Sequence, residues 1–133
     1  MISAGTKALI ERDETIVCRA MEDVEDENIL TVEGNTIPGA ATSLQMKALI
    51  ATPHVIVLRA IRKKGLTDPV HMHATHDTVS TLVSGHLMIH IGDEVFDAKP
   101  GATWRHRPGV KHWTETLEDS VVIEIKTPPA KTW

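Results

Sequence analysis

The residues best suited to chemistry in this chain are its histidines, two of which stand two positions apart at His71 and His73. Side chains two positions apart on a β-strand project from the same face. The two Cα atoms then lie roughly 6–7 Å apart, which lets both imidazoles reach one metal ion. The chain has eight histidines in 133 residues. The spacing of these two, rather than the histidine count, indicates a metal site.

A second segment supplies one more histidine after a turn. It runs from Gly101 through Pro108 and Gly109 to His112. Together the two segments resemble the paired motifs of the cupin family, G-x5-H-x-H-x3,4-E-x6-G and G-x5-P-x-G-x2-H-x3-N. The matching positions are Gly65, His71, His73 and Gly85 in the first motif, and Gly101, Gly109 and His112 in the second.

Three positions depart from the family pattern. Thr78 stands where the motif has its glutamate, Arg107 replaces the first proline, and Thr116 replaces the final asparagine. Counting back from Gly85 makes Thr78 the fourth ligand position, whereas strict strand alternation from the histidines selects Asp77. His76 is a further alternative, and the identity of a fourth ligand stays open.

The resemblance implies that His71, His73 and His112 are neutral imidazole ligands of one divalent transition metal ion. Iron is the first expectation, and zinc, nickel, manganese or copper would also suit such ligands. Three protein ligands leave coordination positions open to water or substrate, as catalytic metal sites require.

Other polar residues are candidates for supporting roles. Alternation places Trp104 and His106 on one face, and the resemblance implies that this face points into the barrel. His106 is then a candidate catalytic base or a group that supports the metal ligands, the alternative being a structural buried histidine.

His86 and His90 lie opposite an aliphatic face and are predicted to point outward or toward a partner subunit. Arg59 and Arg62 are candidates for binding a substrate carboxylate, or else surface charges.

The elements that must position these residues are predicted to be strands. Short apolar runs rich in β-branched residues recur between turn residues, which is typical of an all-β protein. The predicted strands are Ile29–Val32, Met46–Ala51, Val55–Arg62, Val79–Val83, Leu87–Ile91, Val95–Ala98, Thr103–Arg107 and Ser120–Lys126, with a turn at Ser84 and Gly85. Only residues 6–12 suggest a short helix. The fold class is therefore an antiparallel β-barrel or jelly roll, the double-stranded β-helix of cupins.

One domain is expected over residues 1–133. Residues 1–45 are more polar and irregular, and are predicted to form an N-terminal arm or edge strands, while residues 46–126 form the barrel. Because cupins commonly pair through edge strands, a homodimer is expected.

Composition excludes several classes of partner. The formal net charge is −4 and the basic residues are scattered, which argues against nucleic acid. No apolar run approaches the length of a membrane span, and the N-terminus does not resemble a signal peptide. A lone cysteine, Cys18, fits a reducing compartment. A cytoplasmic protein that acts on a small molecule is expected.

The functional expectation is a mononuclear metal-dependent enzyme. The resemblance to cupin dioxygenases with three histidines suggests an iron-dependent dioxygenase. A non-redox isomerase, lyase or cyclase acting on a carbonyl or sugar-acid substrate is the alternative, because residues 112–129 resemble small cupins that process unsaturated uronates. A small-molecule-binding or sensor cupin without catalysis is the third.

Overall fold

The computed structural model describes residues 2–133 and confirms an antiparallel, mainly β architecture. The strands are β1 (Glu27–Asn28), β2 (Thr31–Val32), β3 (Asn35–Thr36), β4 (Leu44–Ala51), β5 (Ile56–Arg62), β6 (Asp77–Ile91), β7 (Glu94–Ala98), β8 (Thr103–His106) and β9 (His112–Thr127). The helical elements are α1 (Ala4–Asp13), a 3-10 turn (Met21–Asp23) and α2 (Ala40–Ser43). Among these residues no helix is both long and apolar enough to cross a membrane.

Two long strands, β6 and β9, organise the barrel. They pair with each other along most of their length, and the strand order is β1-β4-β5-β9-β6-β7, with β8 also paired to β6. Strand β5 pairs only with the C-terminal half of β9, while β8 and β7 pair with successive halves of β6. Each long strand therefore contributes to both walls of the barrel, which is the predicted jelly-roll arrangement.

The turn predicted at Ser84 and Gly85 is wrong, because β6 continues through both residues. The pairing with β9 shifts register on either side of Ser84 and again after His86, which marks a bulge. Gly85 has a φ of +100° and lies against Ser120, so the bulge bends the strand where a side chain would not fit. A glycine between two apolar runs suits a turn and a bulge equally, which explains the error.

The N-terminal region also differs from prediction. The strand predicted at Ile29–Val32 is wrong in its bounds: β1 ends before Ile29, whose side chain enters the core, and β2 begins after it. Helix α1 extends beyond the predicted residues 6–12 because the Ser3 side chain caps its first turn. At the other end of the chain, β9 begins at His112 and so includes a predicted metal ligand.

The interior is divided between an apolar part and a polar part. The apolar part is formed by inward side chains of alternating strand residues, among them Ile56, Leu58, Leu82, Leu87, Ile89 and Val122. The polar part contains the buried residues Arg62, His73, His76, Thr78, His106, His112 and Lys126. Buried polar groups require partners or a ligand, so this part of the interior is the candidate site.

Candidate metal centre

The structure brings His71, His73 and His112 together. His71 and His112 form an isolated antiparallel bridge, in which each backbone N–H donates to the other's carbonyl, at 3.1 and 2.8 Å. The ring centroids of His71 and His112 are 4.3 Å apart, and that of His73 lies 5.3 Å from the first and 4.9 Å from the second. One nitrogen from each ring lies within 4.8 Å of the others. His71 and His73 were predicted to lie on a strand, whereas in the structure both lie just before β6.

A hydrogen bond fixes the orientation of each ring. Nδ1 of His71 donates to the Pro69 carbonyl at 2.8 Å, and Nδ1 of His112 donates to the Val110 carbonyl at 3.0 Å. Because a carbonyl can only accept, both rings carry their proton on Nδ1 and keep the Nε2 lone pair free. Such acceptors are typical partners of metal-binding histidines.

Burial keeps two of these imidazoles neutral. It lowers the pKa of His112 to about 4 and moves the pKa of His73 well below its usual range. A neutral ring is the form that binds a metal ion. Nε2 of His112 is buried and has no hydrogen-bond partner. An ion held by the three Nε2 atoms would satisfy this nitrogen, so the residues present fit a divalent metal.

The three alternatives for a fourth ligand have different environments. The Asp77 carboxylate accepts a hydrogen bond from Arg105 at 2.7 Å and, among the described residues, belongs to no group of side chains that could hold a metal ion. Thr78 faces the interior, where its hydroxyl accepts from Lys126 at 3.1 Å. His76 is buried with its ring 4.5 Å from that of His73, and its Nε2 has no partner. None of the three joins the cluster of His71, His73 and His112.

Glu33 is a functional candidate that the sequence reasoning missed. It occupies the tight turn between β2 and β3, with a φ of 48° that non-glycine residues rarely adopt. Nδ1 of His73 donates to the Glu33 carboxylate at 2.8 Å. The hairpin thus brings an acid from the N-terminal region to the third ligand. No motif signals this contact, because the two residues are distant in sequence.

His106 lies directly against one of these ligands. Its ring stacks on that of His112 with centroids 3.6 Å apart and an angle of 16°. Burial lowers the pKa of His106 to about 2, and its Nε2 has no hydrogen-bond partner. The structure therefore places this residue inside the barrel, next to the candidate ligands.

A cavity of about 70 Å³ adjoins the histidines. Its polar lining includes two basic residues on neighbouring strands, Arg62 and Lys126. Arg62 is held by Asp68 at 3.1 Å and by Thr116 at 3.1 Å. Lys126 was not singled out from the sequence, although alternation along β9 from Val122 puts it on the inner face. Trp104 also lines this cavity.

The remaining histidines and arginine face elsewhere. His86 contacts Asp97, and His90 bonds Glu115 at 3.0 Å while stacking on Trp113. Both are partly exposed on the outer surface, where alternation predicts them. Arg59 forms an ion pair with Asp26 and does not line the cavity.

Several solved structures resemble this one. KdgF from Halomonas sp. is 25% identical, with a TM-score of 0.63, over 65% of this chain and 82% of that one. An RmlC-like cupin from Shewanella frigidimarina is 19% identical, with a TM-score of 0.71, over 86% and 92% of the two chains. A protein described as a "predicted oxalate decarboxylase" from Thermotoga maritima is 14% identical, with a TM-score of 0.70, over 84% and 98%.

No family model and no curated protein sequence matches this chain. The assignment therefore depends on the shared fold and on the two segments that bring His71, His73 and His112 together. With this barrel and this histidine cluster, the chain has the cupin fold and is similar in structure to proteins of the cupin superfamily.

Proposed function

We propose that this protein is a mononuclear metal-dependent enzyme acting on a small organic molecule, with one divalent ion held by His71, His73 and His112. The observation that carries the proposal is the convergence of three imidazoles, with Nδ1 of each bonded to a protein oxygen. The ion would supply a Lewis acid with open positions or, as ferrous iron, a centre for reaction with dioxygen.

An iron-dependent dioxygenase is the first reaction class that we propose. The ligand set supports it, because the three histidines form a cluster without a carboxylate and Thr78 replaces the motif's glutamate. The hydrogen bonds of the chain orient these histidines beside a cavity of about 70 Å³ that a substrate could enter.

A non-redox isomerase, lyase or cyclase is the second class, and a different observation supports it. His106 is a buried neutral imidazole with an unpartnered Nε2 beside the ligands. A neutral imidazole can accept a proton from a substrate and return it to another atom, as isomerisation and elimination require. In this class His106 is the candidate catalytic base.

The first test is the metal content of the purified protein by elemental mass spectrometry. The wild type should hold one equivalent of a transition metal, and the double variant His71→Ala/His112→Ala should hold none. The matched control is His86→Ala/His90→Ala, which also removes two histidines but only from the outer surface. An equal loss of metal from both double variants, or a wild type that binds no metal after reconstitution, contradicts the proposal.

Oxygen uptake by the iron-loaded protein separates the two reaction classes. Substrate-dependent uptake supports the dioxygenase. Turnover without uptake, preserved with zinc or manganese and lost in His106→Phe, supports the non-redox enzyme. Binding of small molecules without any turnover would instead indicate a sensor or binding protein.

A further inference from the structure

One buried charge in the cavity is not used by the proposed function, namely the ammonium group of Lys126. Only 3% of this residue is exposed to solvent. Its Nζ donates to the Thr78 hydroxyl at 3.1 Å. Within residues 2–133 no carboxylate lies within ion-pair distance of it. Most lysines in folded proteins keep the ammonium group in water, so this burial requires an explanation.

Among the described residues, no other charge near the cavity forms an ion pair with Lys126. The acid Asp68 is paired with Arg62, and Glu33 is bonded to His73. Glu124 lines the same cavity but is only partly buried and lies beyond ion-pair distance. Burial lowers the pKa of Lys126 by more than the nearby carboxylates of Glu124 and Glu33 raise it, so holding the cation here has a net cost.

The candidate metal ligands bring no negative charge to offset Lys126. All three are histidines, none is a carboxylate, and Thr78 stands in place of the glutamate that the motif would supply. A divalent ion would therefore add its charge to a cavity that already contains Lys126. A buried positive charge is stabilised when an anion pairs with it and accepts its hydrogen bonds.

We propose that the cavity binds substrates carrying a carboxylate, and that Lys126 and Thr78 are the residues that recognise it. The inference rests on the proposed function, since it names the class of substrate for that site. Thr78 accepts a hydrogen bond from Lys126 and keeps its own O–H to donate to a carboxylate oxygen. The cavity volume of about 70 Å³ fits a carboxylate with a short carbon chain.

The test is an NMR titration of the isotope-labelled protein, in metal-free and zinc-loaded forms, with propionate and with its neutral counterpart propionamide. The wild type should bind propionate more tightly than propionamide. In Lys126→Met propionate binding should weaken about tenfold or more, while propionamide binding stays unchanged. The control Lys99→Met removes an exposed lysine and should leave both affinities unchanged.

Three results would overturn the inference: no preference of the wild type for propionate, equal propionate binding in Lys126→Met, or equal losses in both lysine variants. Retention of the preference in Lys126→Met would assign anion binding to the metal alone. Should Lys126→Met fail to fold, Thr78→Val keeps the side-chain shape and should also weaken propionate binding. Metal content is measured separately, so a protein that binds no zinc contradicts the proposed function, while the metal-free titration still tests Lys126.

Discussion

At the scale of single residues, the acceptors behind the histidines differ in origin. Pro69 and Val110 are close in sequence to the rings they orient, whereas Glu33 reaches His73 from a separate hairpin. Backbone carbonyls cannot be removed by substitution, but a carboxylate can. Glu33 is therefore the position where the contribution of such an acceptor to metal binding can be measured.

We expect Glu33→Ala to weaken metal binding by about 10- to 100-fold, because His73 loses the acceptor that fixes its tautomer and orientation. Zinc affinity measured by competition with a chromogenic chelator tests this expectation. Glu22→Ala, which removes an exposed acid from the same N-terminal region, is the control and should leave the affinity unchanged. Equal affinities in the Glu33 variant and the wild type would show that the hydrogen bond plays no part in binding.

Acid should destabilise the metal-free protein. Burial lowers the pKa values of His76 and His112 to about 4 and that of His106 to about 2, whereas an unfolded chain has histidine pKa values near ~6.5. Between these values the unfolded state binds more protons, so the free energy of unfolding falls as pH drops from about 6.5 toward 4. Urea unfolding at a series of pH values measures this slope. A free energy that stays constant over that range would contradict the buried neutral histidines.

The proximity of the three candidate ligands could be predicted from sequence because the motif spacing relates them, but the surrounding residues could not. His71, His73 and His112 stand at the ligand positions of both motifs. Glu33 reaches the site through a turn with unusual backbone geometry, and a contact between distant residues leaves no periodic signal. Lys126 has the appearance of an ordinary charge at a strand end, and only its register on β9 reveals that it is buried.

At the scale of elements, the bulge in β6 bends the strand so that its two halves belong to different walls of the barrel. A Cβ atom on Gly85 would lie 2.1 Å from Ser120 Oγ and 2.5 Å from the Asp119 carbonyl oxygen. The Ser120 hydroxyl also accepts from the His86 backbone N–H at 3.1 Å, so the bulge and β9 hold each other in place.

Gly85→Ala should therefore destabilise the fold by about 3 kcal/mol or more, through overpacking and an unfavourable φ together. Gly101→Ala is the matched control: its φ of +93° is similar, but nothing lies within 4 Å of the added atom. That variant should lose only about 1 kcal/mol, the cost of the backbone conformation. Chemical denaturation compares the free energies of unfolding of the two variants. Equal losses would mean that β9 moves away from the added methyl group without loss of stability.

Strand positions were easier to predict than strand connections. Alternating apolar residues correctly indicated β4 and β5, because alternate side chains of each strand are buried in the core. The continuity of β6 was missed because local sequence does not distinguish a bend within a strand from a turn between two. The early strands were predicted with the wrong bounds or not at all because β1, β2 and β3 are two residues each, too short for any periodicity.

At the scale of the whole molecule, one edge strand of the sheet carries exposed apolar side chains. Strand β7 is the last strand in the sheet order, and its residues Val95 and Phe96 are 54% and 43% exposed. Exposed apolar edge strands favour pairing with another chain. We propose a homodimer, which light scattering at micromolar concentration would detect. Phe96→Ser should shift the population toward monomer, and a wild type that is already monomeric would contradict the proposal.

The all-nitrogen chemistry of the three candidate ligands also bears on which ion a sample would contain. Their orientation depends on hydrogen bonds within the protein, and no charged ligand among them selects a particular metal. Such nitrogen sites bind divalent ions in the general order of the transition series, so occupancy follows availability. Under the proposed function, an ion recovered with the protein would therefore reflect the metal supply of the cells that made it, and the physiological metal would be the one that restores turnover.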